Sequence, residues 1–308
     1  MSANFMQSQL QNTKISLDYQ ESFSKISKIV LPLYNEYVPI EIKNRRNINQ
    51  QIQPDYVIIS AVIWATMQGF STQIAQYKAI CSILFPNTFP ERSRYYRICG
   101  LLVNVIKIIR VKYVKSLHDN SPFSILDSMP IPLCTPIRNN RAKLFKEVAN
   151  IGFNATKNSH FYGLKLSLLI DHKGFPKAYS VTSASTHDIH MASEVVEQAP
   201  TPQVLADKGY VSKKLKDKLA ESNINFWTPR KKNSKQPKVA EDKLLGKLRK
   251  QIETVFSSLI KLSGNGFRSR SLLGFEAKLE IILLTYTLLL AEAQKIIPGT
   301  LKYSLGYF

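Results

Sequence analysis

PQVLADKGY, residues 202–210, is the stretch from which the rest of this chain can be read. Val204, Leu205 and Ala206 form a short apolar run, as expected of a strand buried on both faces. The run ends on a carboxylate, Asp207, where a charge is costly unless a metal or a cation meets it. Lys208-Gly209-Tyr210 then leads into KGYVSKKLKDKLAES (208–222), which the pattern predicts as helix. Strand, acid and helix in that order describe one unit of an α/β fold, with its polar residue at the strand end where open crevices lie.

The same alternation extends in both directions. Downstream, NINFW (223–227) reads as a strand and EDKLLGKLRKQIETVFSSLIKLSG (241–264) as a long amphipathic helix. Upstream, FSILDS (123–128) is a short strand, and Pro130, Pro132 and Pro136 then require the chain to leave regular structure. HFYGLKLSLLID (160–171), the turn His172-Lys173-Gly174 and FPKAYSVTSAS (175–185) form a hairpin. HDIHMASEVVEQ (187–198) is a helix that Asp188 can cap. The order predicts a mixed sheet flanked by helices over residues 121–297, followed by a tail at 298–308. The apolar, neutral helix at 275–296 packs on that core or forms an interface.

His118 to Pro122 marks a turn and a boundary. Before it the chain reads as all-α. Residues 21–37 are amphipathic apart from Pro32. Residues 56–69 end on Gly69, and a second helix opens at Ser71 or Thr72, which makes 56–85 a helix-turn-helix candidate. ERSRYYRICGLLVNVIKIIRVKYV follows, with Arg92, Arg94 and Arg97 interleaved with Tyr95 and Tyr96. Either these side chains contact phosphates and bases, or the tyrosines pack in the core and the arginines are solvated.

Composition narrows the function. The 308 residues carry 42 Lys+Arg against 22 Asp+Glu, a net charge of +20, and 44% are apolar. That apolar fraction fills a core and excludes a disordered chain. Three cysteines without a CxxC pair fit a reducing compartment. The N-terminus lacks a signal peptide's apolar core, and Ile281 to Ala291 is too short to span a bilayer. The expectation is a cytoplasmic protein without membrane association whose partner is a polyanion. Residues 230–270 hold twelve basic and three acidic side chains, beginning within PRKKNSKQPK (229–238). Alone, such a run is a solvated loop or a localisation patch; between a strand and the helix carrying Glu253, it is placed to track phosphates.

Three acids stand out: Asp127 and Asp207 at strand ends, and Glu253 inside the last amphipathic helix, one turn after Arg249. Each has a structural alternative, as a strand-end cap, a helix cap and a partner of Arg249. Together they make a hard, oxygen-rich set of the kind Mg²⁺ prefers.

Ile125-Leu126-Asp127-Ser128, Leu205 to Tyr210 and Arg249 to Phe256 (RKQIETVF) resemble the DDE motifs of bacterial insertion-sequence transposases. Thr186-His187-Asp188 and Pro229 to Lys232 resemble that family as well. The resemblance covers residues 123–295, and more loosely the helical region 1–118. It implies a ribonuclease-H-like catalytic domain preceded by an all-α DNA-binding region. It also implies Asp127, Asp207 and Glu253 as catalytic residues and ligands of Mg²⁺ or Mn²⁺. Two ions would clamp the attacking and leaving oxygens, water would free a 3′-OH at each element end, and that 3′-OH would attack target DNA. The partners implied are double-stranded DNA, as terminal inverted repeats and target, and a second copy of the chain on DNA. The localisation implied is nucleoid-associated in a bacterial cytoplasm. DNA contacts are expected from Arg249, Lys250, Arg230, Lys231, Lys232, Lys208, Lys261, Arg268, Arg92, Arg94 and Arg97.

The chain departs from the family pattern at Gly246, where many members have tyrosine. It departs again at Ile260, where a lysine is common and Lys261 stands one place on. Lys250 or Arg268 are the alternatives for that role. Competing functions are a nuclease or resolvase on the same fold, a non-catalytic DNA-binding protein derived from a transposase, and a basic RNA-binding protein. The last explains the charge but not the acids.

Overall fold

In the computed structural model the sheet is organised by its longest strand. The description covers residues 3–117, 120–154, 158–229, 240–264, 266–267 and 269–303, with backbone alone for 3–17, 240–245 and 249. Strand β1 (Ser124–Pro132) and strand β4 (Pro176–Ser183) both pair antiparallel with β3 (Ser159–Asp171), and the short β2 (Asn150–Asn154) pairs with the start of β3. On its other edge β1 pairs parallel with β5 (Gln203–Ala206), which pairs parallel with β6 (Asn225–Trp227). The main order is therefore β4-β3-β1-β5-β6. The β3–β4 turn closes on Gly174, at φ +91°, while Asp171 Oδ1 accepts from the amides of Lys173 and Phe175. This is the mixed sheet that the sequence predicts.

Each face is covered by helices because the strands alternate. Leu126, Leu169, Val204 and Phe226 point to the side held by α7 (Asp188–Gln198) and α8 (Lys213–Glu221). Ile125, Met129, Leu168 and Leu205 point to the opposite side, where α9 (Ala240–Leu262) and α10 (Leu272–Ile296) lie.

The N-terminal region is all-α, as expected. It comprises α1 (Ala3–Tyr37), α2 (Ile40–Lys43), α3 (Asp55–Met67), α4 (Gln73–Ala79), α5 (Arg92–Leu101) and α6 (Val103–Leu117). A π-helical turn, Ile80–Leu84, extends α4. Gly69 takes φ +81° between α3 and α4, and Thr72 caps α4 by accepting from the Ala75 amide. α3 is apolar around its whole circumference because it packs between α1 and α10. One core runs without a break from α1, α3 and α6 through α10 to the sheet.

α10 is apolar on nearly every side for the same reason: helices stand on one flank and strands on the other. One charge pair is sealed beside it. Arg110 on α6 makes a bidentate bond to Glu280, at 2.8 and 3.1 Å, and also donates to the Pro176 carbonyl. Tyr179 donates its hydroxyl to Glu280 at 2.8 Å. Both charged side chains are essentially unexposed, 1% and 0%.

Three expectations need correction. Pro130 and Pro132 do not leave the strand; they continue β1 opposite Lys165 and Gly163. The Leu133 amide donates to Tyr162 on β3, so odd-numbered amides face β3 and even-numbered ones face away. Beyond Leu126 no strand among the described residues pairs with that outer edge, so the prolines remove donors that no ladder requires. The stretch after Glu91 is two helices, α5 and α6, broken at Leu102. The stretch 208–222 is likewise divided, into a 3₁₀ turn at Lys208–Tyr210 and α8, which Ser212 caps.

Candidate active site

Asp127 and Asp207 are brought together by strand register. Ser124, Ile125 and Leu126 pair with Val204, Leu205 and Ala206 in parallel, and Asp207 stays extended at φ −73°, ψ 170°. Continuing that register by one residue sets Asp127 beside Asp207 on neighbouring strands, about 5 Å apart at the backbone. Both are half-buried. Asp127 follows Leu126 and precedes Ser128, whose amide donates to its Oδ1 at 2.8 Å. By alternation both acids lie on the face covered by α9.

Glu253 stands on that covering helix. α9 packs over β1 and β5 through Ile252, Val255, Phe256 and Leu259, all buried, which leaves Glu253 on its exposed side. Among the described residues, no three His, Cys, Asp or Glu side chains gather closely enough to hold an ion. The structure thus sets the two aspartates on neighbouring strands and Glu253 on a separate element, without gathering the three into one cluster. Asp207 directly follows the end of β5, but Asp127 does not close its strand as expected, because β1 runs on to Pro132; carboxylates on adjacent strands are the hard oxygen donors that a divalent cation takes.

Behind the pair, on the opposite face of the sheet, lies a group that the sequence reading missed. Asp188, the first residue of α7, does not cap the helix: its Oδ1 accepts from Ser128 Oγ at 3.0 Å and pairs with Lys165 Nζ at 3.0 Å. Lys165 also donates to the Thr186 carbonyl at 2.8 Å. A Cβ on Gly209 would lie 4.0 Å from Asp188 Oδ2, so this carboxylate borders the turn that follows Asp207. Tyr210 is buried there, and burial first, then the charges of Asp188 and Asp127, push its hydroxyl well above the usual tyrosine range. It therefore stays protonated. The legible signal was Asp188 directly after the hairpin; the partner lysine, in mid-strand, had none.

The expected DNA contacts separate into groups. Lys208, directly after Asp207, and Lys250 and Lys261 on α9 are exposed. Arg92 and Arg97 are exposed on α5, and Arg94, half-buried, donates to the Gln50 carbonyl at 3.0 Å. Tyr95 is fully buried, and it and Tyr96 pack with Tyr77, so those tyrosines belong to the core. Arg230, Lys231, Lys232 and Arg268, and the side chain of Arg249, lie outside the described residues.

Residues 118–270 match the family model of the transposase DDE domain. Over that span the chain is a DDE transposase domain. Such domains belong to metal-dependent enzymes that cut and join DNA, and the two aspartates described above lie inside the matched segment. No curated protein matches the chain. Among solved structures, it is similar to a piggyBac transposase in a synaptic complex with hairpin DNA, at 10% identity and a TM-score of 0.45, over 95% of this chain and 78% of that one. In the DDE domain described here, no helix among the described residues is long and apolar enough to cross a membrane.

Proposed function

We propose that this chain is an insertion-sequence transposase that frees a 3′-OH at its element ends and joins it to target DNA. The observation that carries this reading is the placement of Asp127 on β1 and Asp207 just past β5 on adjacent parallel strands, under the helix that bears Glu253. In this reading these three residues hold Mg²⁺ or Mn²⁺. Ions held there would stabilise the attacking and leaving oxygens of an in-line phosphoryl displacement.

The chain's own residues supply the rest. The paired strands fix the two aspartates, so little reorganisation is needed as charge develops. Lys208, Lys250 and Lys261 are exposed cations and pair with phosphates. Arg92, Arg94 and Arg97 and the α3–α4 pair contact the element's terminal repeats. Joining two ends calls for two copies of the chain on DNA, in a bacterial cytoplasm and at the nucleoid.

The test uses purified full-length chain, Mg²⁺, and duplexes carrying the element's ends, both intact and pre-cleaved. The expected result is a 3′-OH at each end and joining of pre-cleaved ends to a plasmid. Cleavage without joining makes the chain a nuclease or resolvase; binding without either makes it a non-catalytic DNA-binding protein.

A further inference from the structure

Between β1 and β3 the chain makes an insertion, residues 133–158, in which the basic excess of the sheet region is concentrated. Across 121–229 there are thirteen basic and nine acidic residues; five of the basic ones and one acid lie in the insertion, and the remainder balances eight against eight. Arg138, Arg141, Lys143 and Lys146 are all exposed, and none is held in an ion pair among the described residues. Arg138, Arg141 and Lys143 line a cleft of about 450 Å³ together with Leu133 and Tyr162. Ile137, the residue before Arg138, is 91% exposed, and Phe153 on the β2–β3 hairpin is 52% exposed.

This segment is held firmly. A 3₁₀ turn, Pro136–Arg141, carries Arg138 and Arg141. Asn139 inside it accepts from the Tyr162 amide at 3.0 Å and donates to the His160 carbonyl at 3.2 Å. Tyr162 donates its hydroxyl to the Leu144 carbonyl at 2.9 Å, and Phe145 packs on Phe275 of α10. The last contact sets the insertion on the α10 side of the sheet, the side that holds Asp127 and Asp207.

We propose that this insertion is a second DNA-contacting surface, gripping the phosphates of duplex that extends from the aspartates along β1. Its charge matches a polyanion, and its exposed apolar side chains are spaced between cations as at nucleic-acid surfaces. Distance fixes where it acts. Leu133 lies six residues beyond Asp127 on an extended strand, about 20 Å away. At 3.4 Å per base pair, the grip falls about six base pairs from the scissile phosphate. The geometric part of this inference rests on the reading of Asp127 and Asp207 as the cutting site.

The experiment measures binding of a fluorescent duplex of about 30 base pairs, without divalent ions, across a salt series. It compares wild type with Arg138→Ala/Arg141→Ala/Lys143→Ala and with a control, Lys213→Ala/Lys214→Ala/Lys216→Ala, which removes equal charge from α8 on the other face of the sheet. Losing three phosphate contacts should reduce the salt slope by about 2.7, with little change in the control. In the cleavage assay, trimming the duplex to fewer than about six base pairs on one side of the cut should weaken wild type but not the insertion variant. An unchanged slope in the insertion variant, or an equal change in the control, overturns the inference and leaves the proposed reaction standing. A slope change without any cleavage by wild type overturns the reaction and leaves a DNA-binding surface. A wild type that does not bind duplex overturns both. The substituted side chains are exposed, apart from the half-buried Lys216 of the control, and equal melting temperatures confirm that the variants fold.

Discussion

Two sets of charged side chains are built into this molecule on opposite principles. Arg110 and Glu280 are sealed between α6, α10 and β4, and they bond to each other, to the Pro176 carbonyl and to Tyr179 within the protein. Asp127 and Asp207 sit side by side at a strand edge, like charge next to like charge and half-buried. A sealed pair is destabilising to break because removing one partner leaves an uncompensated charge. Adjacent carboxylates repel, so removing one relieves the fold while removing a ligand. The first arrangement holds the structure; the second, in the proposed reaction, serves chemistry.

The sharpest test of that contrast is Asp207→Ala or Asp127→Ala. Each should reduce end cleavage about ten-thousandfold or more, about 5.4 kcal/mol of transition-state stabilisation, while the melting temperature holds or rises. Glu253→Gln should behave in the same way, because its side chain is exposed and α9 is anchored by its neighbours. Full activity in that variant would remove Glu253 from the site. The opposite signature is expected of Glu280→Ala: a loss of about 4 kcal/mol in denaturant unfolding, with much of it recovered in Arg110→Met/Glu280→Leu. If the single variant unfolds no more readily than wild type, the sealed pair is not structural.

Two smaller effects refine the comparison. Gly264, after α9, has φ +68°, and a Cβ there would come within 2.3 Å of Ser71 Cβ in the α3–α4 turn. Gly264→Ala should cost about 2 kcal/mol, read as a lower denaturant midpoint. Asp55 is a third kind of charge, buried yet ionised: burial raises its pKa, but bonds from Arg45 and Gln51 together outweigh that and hold it below 3.8. Stability from this group is present above that unfolded value and is lost as pH falls through the folded one. Asp55→Asn should therefore be less stable than wild type at neutral pH and converge with it in acid, seen in melting temperature against pH.

Much of this was legible from pattern. The runs at 160–171, 175–185, 188–198 and 202–207 appear as strands and helices close to their expected bounds because each has one dominant period and ends on turn residues. The edge position of Asp207 followed from an apolar run ending on an acid. What escaped depends on partners distant in the chain. Proline argued against a strand at Pro130 and Pro132, yet only the early end of β5 makes their missing donors harmless. Asp188 looked like a cap, and its tie to Lys165 and Ser128 needs the register of β1 against β3. The apolar girth of α10 allowed either an interface or a core, and a sequence alone does not say which flank the N-terminal helices will take.

That girth bears on how the chain is made. A ribosome releases α1, α3 and α6 long before α10 emerges, so the helices synthesised first wait for the face that completes their packing. Arg110 waits as well, a cation whose counter-charge is 170 residues downstream. Until that late helix docks, the nascent chain displays an oily groove beside a basic surface. Premature termination before residue 272 would leave that groove open, and the product would be a substrate for chaperones and proteases rather than a shortened, working protein.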